Sequence, residues 1–381
     1  MKKQGANAPG VAVRRVAIEA LQRITQEGAY ANLALPSLLR DSALDQRDRA
    51  FVTELVYGTT RYLRACDWII DHYVDRELDA PVRAALRIGT YQLHFMKVAP
   101  HAAVSATVGA VSTKTRGFVN AVLRRVAKHS APWPSDAVRL SYPDWLVEQL
   151  VDDLGTESAI AALTSMNTPA QRHQRADGYT QDLASQWVSE YVGAQAGELV
   201  LDVCAAPGGK ATAMTKEGAK VVASDLRQSR VSLVASNVAA TKAETVRPIV
   251  SDGTIAPFRA ASFDRVLLDA PCSGLGVLRR RADARWRIKP EDVERLTRLQ
   301  RSLIDEAVTQ VKPGGYLFYS VCTLTNAETL EIDNYFASKH PNFVPLDRPD
   351  SPWQPWGRGA LLLPQAANSD GMWVLGLKRN N

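Results

Sequence analysis

The stretch LDAPCSGLGVLRRR, residues 268–281, places an acid, a thiol and a basic cluster within one short segment. Asp269 closes an apolar run, and Cys272 follows three positions later. A second thiol, Cys322, ends another apolar run in YSVCTL. A thiolate becomes a strong nucleophile when nearby cations lower its pKa, and Lys210 and the arginines are candidates for that role. The alternative for either cysteine is a small buried hydrophobic side chain.

One carboxyl group and two thiols meet the chemical requirements for methylating carbon 5 of cytosine. That carbon is a poor nucleophile, but a thiolate that adds to carbon 6 makes it enamine-like and able to attack a methyl sulfonium. A carboxylic acid at ring N3 would stabilise the developing charge, and a second base must remove the carbon-5 proton. Spacing alone leaves open which cysteine attacks and which assists release.

Further acids and a glycine turn mark the ends of other predicted strands. DVCAAPGGK (202–210) places a Pro-Gly-Gly turn between a strand and a helix, where backbone N–H groups can hold an anionic group. Asp225 ends the second strand and Asp252 the third, positions suited to a nucleoside cofactor. Without a phosphate-binding basic loop, they favour S-adenosylmethionine over NAD. A loop cap is the alternative for any single Asp, and it weakens because acids recur at successive strand ends.

The elements that must position these residues form a predicted doubly wound, mostly parallel sheet. Ligands bind such sheets at the carboxyl ends of the strands, where all of these residues lie. Short valine-rich runs alternate with helical segments, including a long amphipathic helix over 290–311. The seven predicted strands are 198–203, 220–225, 246–253, 263–271, 315–324, ALLLP and GMWVLGLKR.

The first third of the chain has a helical pattern instead. Residues 11–129 read as helices throughout, with Asp79 or Asp41 as plausible cap residues. The first helix has an apolar face made of Val13, Val16, Ala17, Ala20, Leu21 and Ile24. The prolines of APWPSD (131–136) mark a boundary, and 167–177 is polar and without pattern. We therefore expect an all-helical domain over 1–130, a helical linker over 131–177 and an α/β domain over 178–381.

Composition bounds the class of protein. The chain has 381 residues, a formal net charge of +6 and four cysteines, with no CxxC pair and no zinc-ligand spacing. The cysteines therefore indicate reduced thiols in a cytoplasmic protein without a metal. The basic start lacks a following apolar region, and no run of 18 apolar residues occurs, so neither a signal peptide nor a membrane span is expected. The run RRRADARWRIK (279–289), with five arginines, a lysine and a tryptophan, is either an RNA-binding surface or a solvated basic face.

These motifs resemble a known family. DVCAAPGGK, LDAPCSGLGVLRRR and YSVCTL are similar to the RsmB (Sun/Fmu) family of RNA cytosine-carbon-5 methyltransferases, and the resemblance covers nearly the whole chain. Residues 11–129, with GAYANLALPSLL, ELVYGTTR and GFVNAVLRR, resemble the NusB-like helical RNA-binding domain fused in front of that enzyme in bacteria. The implied fold is an all-helical domain followed by a Rossmann-like methyltransferase domain.

The resemblance implies roles for particular residues. Cys322 would be the nucleophile, Cys272 would assist product release, and Asp269 would contact the base at N3. The cofactor is expected to be S-adenosyl-L-methionine, the partner 16S ribosomal RNA, and the protein a monomer. The residues predicted to bind the cofactor are Cys204, Ala205, Ala206, Pro207, Gly208, Gly209, Lys210, Asp225, Arg230, Asp252 and Asp269.

The chain departs from the family pattern in three places. Val321 replaces the Thr before the nucleophile, and TLTNAET lacks a proline and the Asn of a Glu-Asn pair, although Glu328 is retained. The strands of a small RNA-binding subdomain are missing around 167–177. Two rival hypotheses therefore stay open: an RNA-binding antitermination-type factor with a vestigial methyltransferase half, and a methyltransferase of tRNA. An amino-group methyltransferase would need an Asn/Asp-Pro-Pro-aromatic motif, which DAPCS is not.

Overall fold

The computed structural model describes residues 10–381. The helices are α1 (Val11–Thr25), α2 (Ala31–Asp41), α3 (Gln46–Arg61), α4 (Leu63–Asp71), α5 (Ala80–His94), α6 (Pro100–Ala110), α7 (Arg116–Val126), α8 (Asp136–Leu140), α9 (Asp144–Leu154), α10 (Thr156–Ser165), α11 (Leu183–Val192), α12 (Gly209–Ala213), α13 (Gln228–Thr241), α14 (Pro290–Gln310), α15 (Leu330–Lys339) and α16 (Pro364–Ala367). The strands are β1 (Leu199–Asp202), β2 (Lys220–Asp225), β3 (Val246–Val250), β4 (Phe263–Asp269), β5 (Val311–Val321), β6 (Phe343–Pro345), β7 (Gln354–Trp356), β8 (Gly359–Leu362) and β9 (Met372–Arg379).

The chain divides into two compact units. The first runs to Val147 and includes Arg281–Arg287, and the second contains Glu148–Arg280 and Ile288–Asn381. The predicted domain limits at 130 and 177 stay predictions.

The first unit is helical, as the periodicity predicts. The apolar face of α1 enters its core, with Val13, Ala17 and Leu21 almost completely buried. Asp79 lies at the N-cap position of α5. Asp41 is instead the last residue of α2, and the cap of α3 is Asp45, whose side chain accepts the Asp48 N–H. The cap prediction for Asp41 is therefore wrong, because α2 extends through Asp41 and α3 begins only at Gln46.

The second unit is built on one mixed sheet. The strand order is β3-β2-β1-β4-β5-β9-β8-β7. β3, β2, β1, β4 and β5 run parallel, whereas β9 pairs antiparallel with β5 and β8. This confirms the predicted doubly wound sheet with helices between its strands.

The sheet has nine strands rather than the predicted seven. The two additional strands, β6 and β7, have three residues each and contain Pro345 and Pro355. β6 pairs only with β9, and β7 lies at the end of the strand order. Proline is tolerated at sheet edges but conceals a strand in the sequence pattern, so both were missed.

The segment between α10 and α11 contains little regular structure. Within residues 166–182, the described chain forms only an isolated antiparallel bridge between Gln174 and Thr180. Arg175 fastens this hairpin to α12, since it donates to the Gly209 carbonyl and, at 2.9 Å, to the Thr212 hydroxyl. The strands expected of an intervening subdomain are not formed in this segment.

Candidate active site

The carboxyl ends of the parallel strands gather the residues singled out in the sequence. Parallel neighbours end at the same edge of a sheet, so residues distant in sequence come together there. Cys204–Lys210 follow β1, Asp225 ends β2, Asp252 follows β3, Asp269 ends β4 with Cys272 beyond it, Cys322 follows β5, and Arg230 lies in α13.

The loop after β1 is held against the end of β2. The Ala205 N–H donates to the Ser224 carbonyl at 2.8 Å, and the Ala206 N–H donates to the Asp225 carboxylate at 3.2 Å. Gly208 has φ of +102°, and a Cβ there would lie 3.1 Å from the Val234 side chain. The turn therefore requires glycine at this position, and it brings the loop backbone next to Asp225.

Arg230 binds the Asp225 carboxylate directly. Its Nε lies 3.0 Å from each Asp225 carboxylate oxygen, and its Nη2 donates to the Ala206 carbonyl at 3.0 Å. The Asp225 side chain is buried, whereas that of Arg230 is half exposed. Arg230 thus orients the acid and ties α13 to the loop.

Asp252 is exposed and caps its own turn. Its Oδ1 accepts the Thr254 hydroxyl at 2.7 Å and the Thr254 N–H at 2.9 Å. These hydrogen bonds lower the pKa of Asp252. The loop-cap alternative describes these contacts, and a cofactor role for Asp252 stays a prediction.

Asp202, the last residue of β1, was not singled out in the sequence. It is 1% exposed, and neither of its carboxylate oxygens has a hydrogen-bond partner among the described residues. Burial, followed by the charge of Asp269, raises the pKa of Asp202 to about 8. Asp202 is the first residue of DVCAAPGGK, so its position at the end of a predicted strand was visible in the sequence. Because a buried carboxyl group without a partner is costly, the position suits a site that receives a polar or cationic group.

Asp269 links the β1 loop to β5. Lys210 Nζ lies 2.7 Å from Asp269 Oδ2, and the Ser320 hydroxyl donates to Oδ1 at 2.7 Å. Burial lowers the pKa of Lys210, but the Asp269 carboxylate more than offsets it, so that pKa lies above its ordinary value. Lys210 and Asp269 therefore form an ion pair among the carboxyl ends of the parallel strands.

The two cysteine thiols lie side by side. The Sγ atoms of Cys272 and Cys322 are 3.3 Å apart, and both are free and partly exposed. Asp269 of β4 is in register with Ser320 of β5, so the segments that follow the two strands meet. The hydrogen bond with Cys322, followed by burial, raises the pKa of Cys272 well above its ordinary value.

Several arginines of the basic run 279–289 bind other groups of the protein, each within its own unit. In the second unit, Arg279 is 2% exposed and donates to the Ser369 carbonyl at 3.0 Å. Arg280 is ion-paired with Asp182 and Asp370. The partners named here are other groups of the second unit, and the activation of a thiolate by Lys210 or by the arginines stays a prediction.

The same run continues into the first unit as a packing segment. Arg285 is fully buried, donates to the Arg61 carbonyl at 3.2 Å and lies 4.0 Å over the Tyr142 ring. The Trp286 indole N–H donates to the Thr60 carbonyl at 2.7 Å. Neither an RNA-binding surface nor a solvated basic face describes Arg285 and Trp286, because each donates to a main-chain carbonyl group of the first unit.

The described part of the chain holds neither a metal-binding cluster nor a membrane-spanning helix. Residues 10–381 contain no cluster of three or more His, Cys, Asp or Glu side chains suited to a metal ion. No helix within this range is both long and apolar enough to cross a membrane.

The sheet order and the acids and glycine loop at its strand ends define the class: this is an S-adenosylmethionine-dependent methyltransferase fold joined to a helical unit. Residues 191–378 match the family model of the 16S rRNA methyltransferase RsmB/F, and residues 11–128 match that of the NusB family. The chain belongs to the RsmB/F family of ribosomal RNA methyltransferases, with a NusB-family domain at its N-terminal side.

Relatives of nearly full length support this membership. The chain is 34% identical over 409 residues to the ribosomal RNA small subunit methyltransferase B of Thermus thermophilus, covering 97% of this chain and 98% of that protein. It is 30% identical over 446 residues to the probable ribosomal RNA small subunit methyltransferase B of Bacillus subtilis, covering 96% and 98%. That alignment is longer than the 381 residues of this chain, so the Bacillus protein carries residues without a counterpart here.

A solved structure shares the fold over almost the whole chain. The crystal structure of PH0851 superposes with a TM-score of 0.78 at 22% identity, covering 98% of this chain and 99% of that one. The likeness confirms the fold class.

Proposed function

We propose that the protein methylates carbon 5 of cytosine in RNA through a covalent bond between a cysteine and the base. The observation that carries this proposal is the thiol pair: Cys272 and Cys322 lie 3.3 Å apart beside Asp269 at the ends of neighbouring strands. Amino-group methylation has no use for two thiols, whereas carbon-5 methylation needs one nucleophile and one base.

The cofactor residues fit S-adenosylmethionine, which supplies an electrophilic methyl group when bound. Asp225 would take the ribose hydroxyls, because a carboxylate accepts more bonds than the loop and Arg230 use. The loop Cys204–Lys210 lies beside that acid and would border the cofactor. Asp202 is a further candidate, since its partnerless oxygens would accept hydrogen bonds from a cationic amino group.

The two cysteines and Asp269 have different roles toward the cytosine ring. Cys322 passes its thiol proton to the Asp269 carboxylate and adds to carbon 6 of the cytosine, and the protonated Asp269 then donates a hydrogen bond to ring N3 and stabilises the charge that develops. After methyl transfer, Cys272 loses its own proton to water and, as a thiolate, takes the carbon-5 proton; the bond from Cys322 to carbon 6 breaks, and Cys322 recovers its proton from Asp269. The raised pKa of Cys272 supports this division, because its thiol is less ionised at rest and therefore a poor nucleophile, whereas its thiolate, once formed, is a strong base.

The proposed substrate is 16S ribosomal RNA, which agrees with the family model and with the names of the relatives. A cytoplasmic location goes with this proposal, since all four cysteines are free thiols. Bisulfite sequencing of cellular RNA with and without the gene tests the substrate. A lost 5-methylcytosine in tRNA rather than in 16S RNA would move the proposal to the other substrate.

The decisive variant is Cys322→Ala, with Cys66→Ala as the matched control, because Cys66 is a buried thiol of the first unit, whereas Cys322 belongs to the second. We expect the first variant to lose methyl transfer from labelled S-adenosylmethionine to RNA and the second to keep it. Full activity of Cys322→Ala would overturn the mechanism. Calorimetry with S-adenosylmethionine tests the antitermination-type alternative, which predicts no binding.

A further inference from the structure

A buried carboxylate, Glu328, lies behind the two thiols. It is completely buried and accepts four hydrogen bonds, all from neutral donors. The Ser273 N–H and Gln300 Nε2 donate to Oε1 at 2.8 and 3.0 Å, and the Ser273 and Thr325 hydroxyls donate to Oε2 at 2.5 and 3.1 Å. A buried carboxylate is costly unless its hydrogen bonds are complete. Here the surrounding residues supply that complete set.

This network joins the two thiol-bearing segments. Ser273 follows Cys272, Thr323 follows Cys322, and the two hydroxyl oxygens are 2.9 Å apart. The Ser273 hydroxyl has one proton, which it donates to Glu328. Thr323 must therefore donate to Ser273, and the hydrogen bonds run in one direction from the Cys322 segment through the Cys272 segment to the carboxylate.

The Cys272 segment is held on its other side as well. Gln300 of α14 donates through Nε2 to the Pro271 carbonyl at 2.9 Å as well as to Glu328. Cys272 thus lies between two residues that are fastened to the same carboxylate, one directly and one through Gln300. This arrangement restricts the backbone on both sides of the thiol.

From these contacts we propose that Glu328 is a positioning residue that holds the Cys272 and Cys322 thiols at their mutual distance. It acts through Ser273 and Thr323, and it thereby sets the thiols in order for attack and release. The inference rests on the proposed carbon-5 methylation, but the geometry it predicts is measurable without RNA or cofactor.

The test variant is Glu328→Gln. Each carboxylate oxygen accepts two of the four hydrogen bonds, so the amide NH₂ group deprives two donors of their acceptor in either orientation. Asp333→Asn is the matched control. Asp333 is also a buried carboxylate, but it accepts the Arg358 Nε and N–H groups, at 2.7 Å each, rather than groups of the thiol segments.

The first measurement is disulfide formation with diamide. Diamide takes two electrons and two protons from the thiol pair, which leaves a Cys272–Cys322 disulfide and a hydrazine. Peptide mass spectrometry follows the cross-link over time. We expect the reaction to be about tenfold slower in Glu328→Gln than in the unaltered protein and unchanged in Asp333→Asn.

The second measurement separates kcat from KM in methyl transfer. We expect Glu328→Gln to lower kcat by at least about tenfold and to leave KM for S-adenosylmethionine within about twofold, because none of the four donors to Glu328 belongs to a predicted cofactor residue. If Glu328→Gln and Asp333→Asn behave alike in both measurements, Glu328 has only a structural role and the proposal is overturned.

Thr323→Val is a second test variant, which still tests the proposal if Glu328→Gln does not fold. It removes one hydroxyl from the chain of hydrogen bonds and leaves the buried carboxylate with its four donors. We expect slower cross-linking there too, and an unchanged rate would contradict the proposal. If the unaltered protein methylates no cytosine, the proposed function fails, while the diamide rates still decide whether Glu328 positions the thiols.

Discussion

The carboxyl ends of the parallel strands form an edge with an acidic side and a thiol side. These sides differ in whether the protein itself supplies hydrogen-bond partners for their polar groups. On the acidic side, formed by Asp202, Asp225 and Asp252, Asp202 has two buried oxygens without a partner and Asp252 faces outward. On the thiol side, formed by Cys272, Cys322 and Glu328, each thiol contacts the other and the carboxylate has four donors. A side that must receive a ligand keeps unused hydrogen-bonding capacity, whereas a side that must hold reacting groups in place uses its own.

Cys272→Ala should have the largest effect on turnover among the variants that leave the nucleophile in place. Without a base for the carbon-5 proton, Cys322 stays attached to the RNA, and repeated turnover should fall by about 10³-fold, within the range for a general base. Denaturing gels with labelled RNA would show the protein shifted by a covalent adduct. Absence of any adduct in Cys272→Ala would count against the two-thiol scheme.

Asp269→Asn should come next, because it weakens the connection between the two sides. It removes the charge that Lys210 neutralises, and it removes the acid that would donate a hydrogen bond to ring N3. We expect kcat to fall by about 10²-fold, as for loss of one group that stabilises transition-state charge. Single-turnover kinetics would measure the rate of methyl transfer in the variant. An unaltered kcat would contradict the expected role of Asp269. Asp264→Asn is the control, since Asp264 pairs with Lys312 at the opposite end of β4.

The sequence indicated the residues at the strand ends better than the residues that hold them in place. Strand ends, a glycine turn and recurring acids are local signals, and each of them identifies its own residue. Glu328 is different, because its partners Ser273 and Gln300 are 55 and 28 positions away in the chain. Only the pairing of β4 with β5 and the packing of α14 bring them together. Its retention in the family motif was visible in the sequence, but its partners were not.

The arginine run shows the opposite error. RRRADARWRIK has the composition of a nucleic-acid-binding surface, and composition carries no information about burial. Arg279 and Arg285 instead satisfy main-chain carbonyl groups inside the fold. Arginine is suited to this because its planar group supplies five donors. A cluster of cations therefore indicates RNA binding only when the side chains are exposed.

Asp225→Ala should weaken cofactor binding by about tenfold to a hundredfold. The variant removes a charged acceptor for the ribose hydroxyls, and such hydrogen bonds contribute about 1.5–3 kcal/mol. Calorimetric titration with S-adenosylmethionine would measure the change in Kd. Asp252→Ala tests the same side at its exposed end, and we expect a smaller loss there, because the carboxylate is already engaged by Thr254. Equal losses of affinity in the two variants would contradict the expectation that the buried Asp225 contributes more to cofactor binding than the exposed Asp252.

The smallest effect should come from Asp202→Asn, and it should depend on pH. The pKa of Asp202 is raised to about 8 in the folded protein by burial and by the charge of Asp269, whereas an Asp in an unfolded chain titrates near 4. Between these values the folded state binds one proton more than the unfolded state, so stability falls as pH rises through this window and the loss is complete above pH 8.

Asparagine at position 202 does not titrate, so the variant lacks this loss. The Tm of Asp202→Asn should therefore rise relative to the unaltered protein between pH 5 and pH 8, by a few degrees, and the difference should level off above pH 8. Asp370, whose pKa is raised to about 6 by burial and by Asp182, loses stability over a similar range, but it is present in both proteins and cancels. Thermal unfolding of cofactor-free protein at one-unit pH steps measures the difference. Parallel Tm curves would mean that the carboxyl group of Asp202 keeps its ordinary pKa, and the contrast between the acidic side and the thiol side would then lose its strongest support.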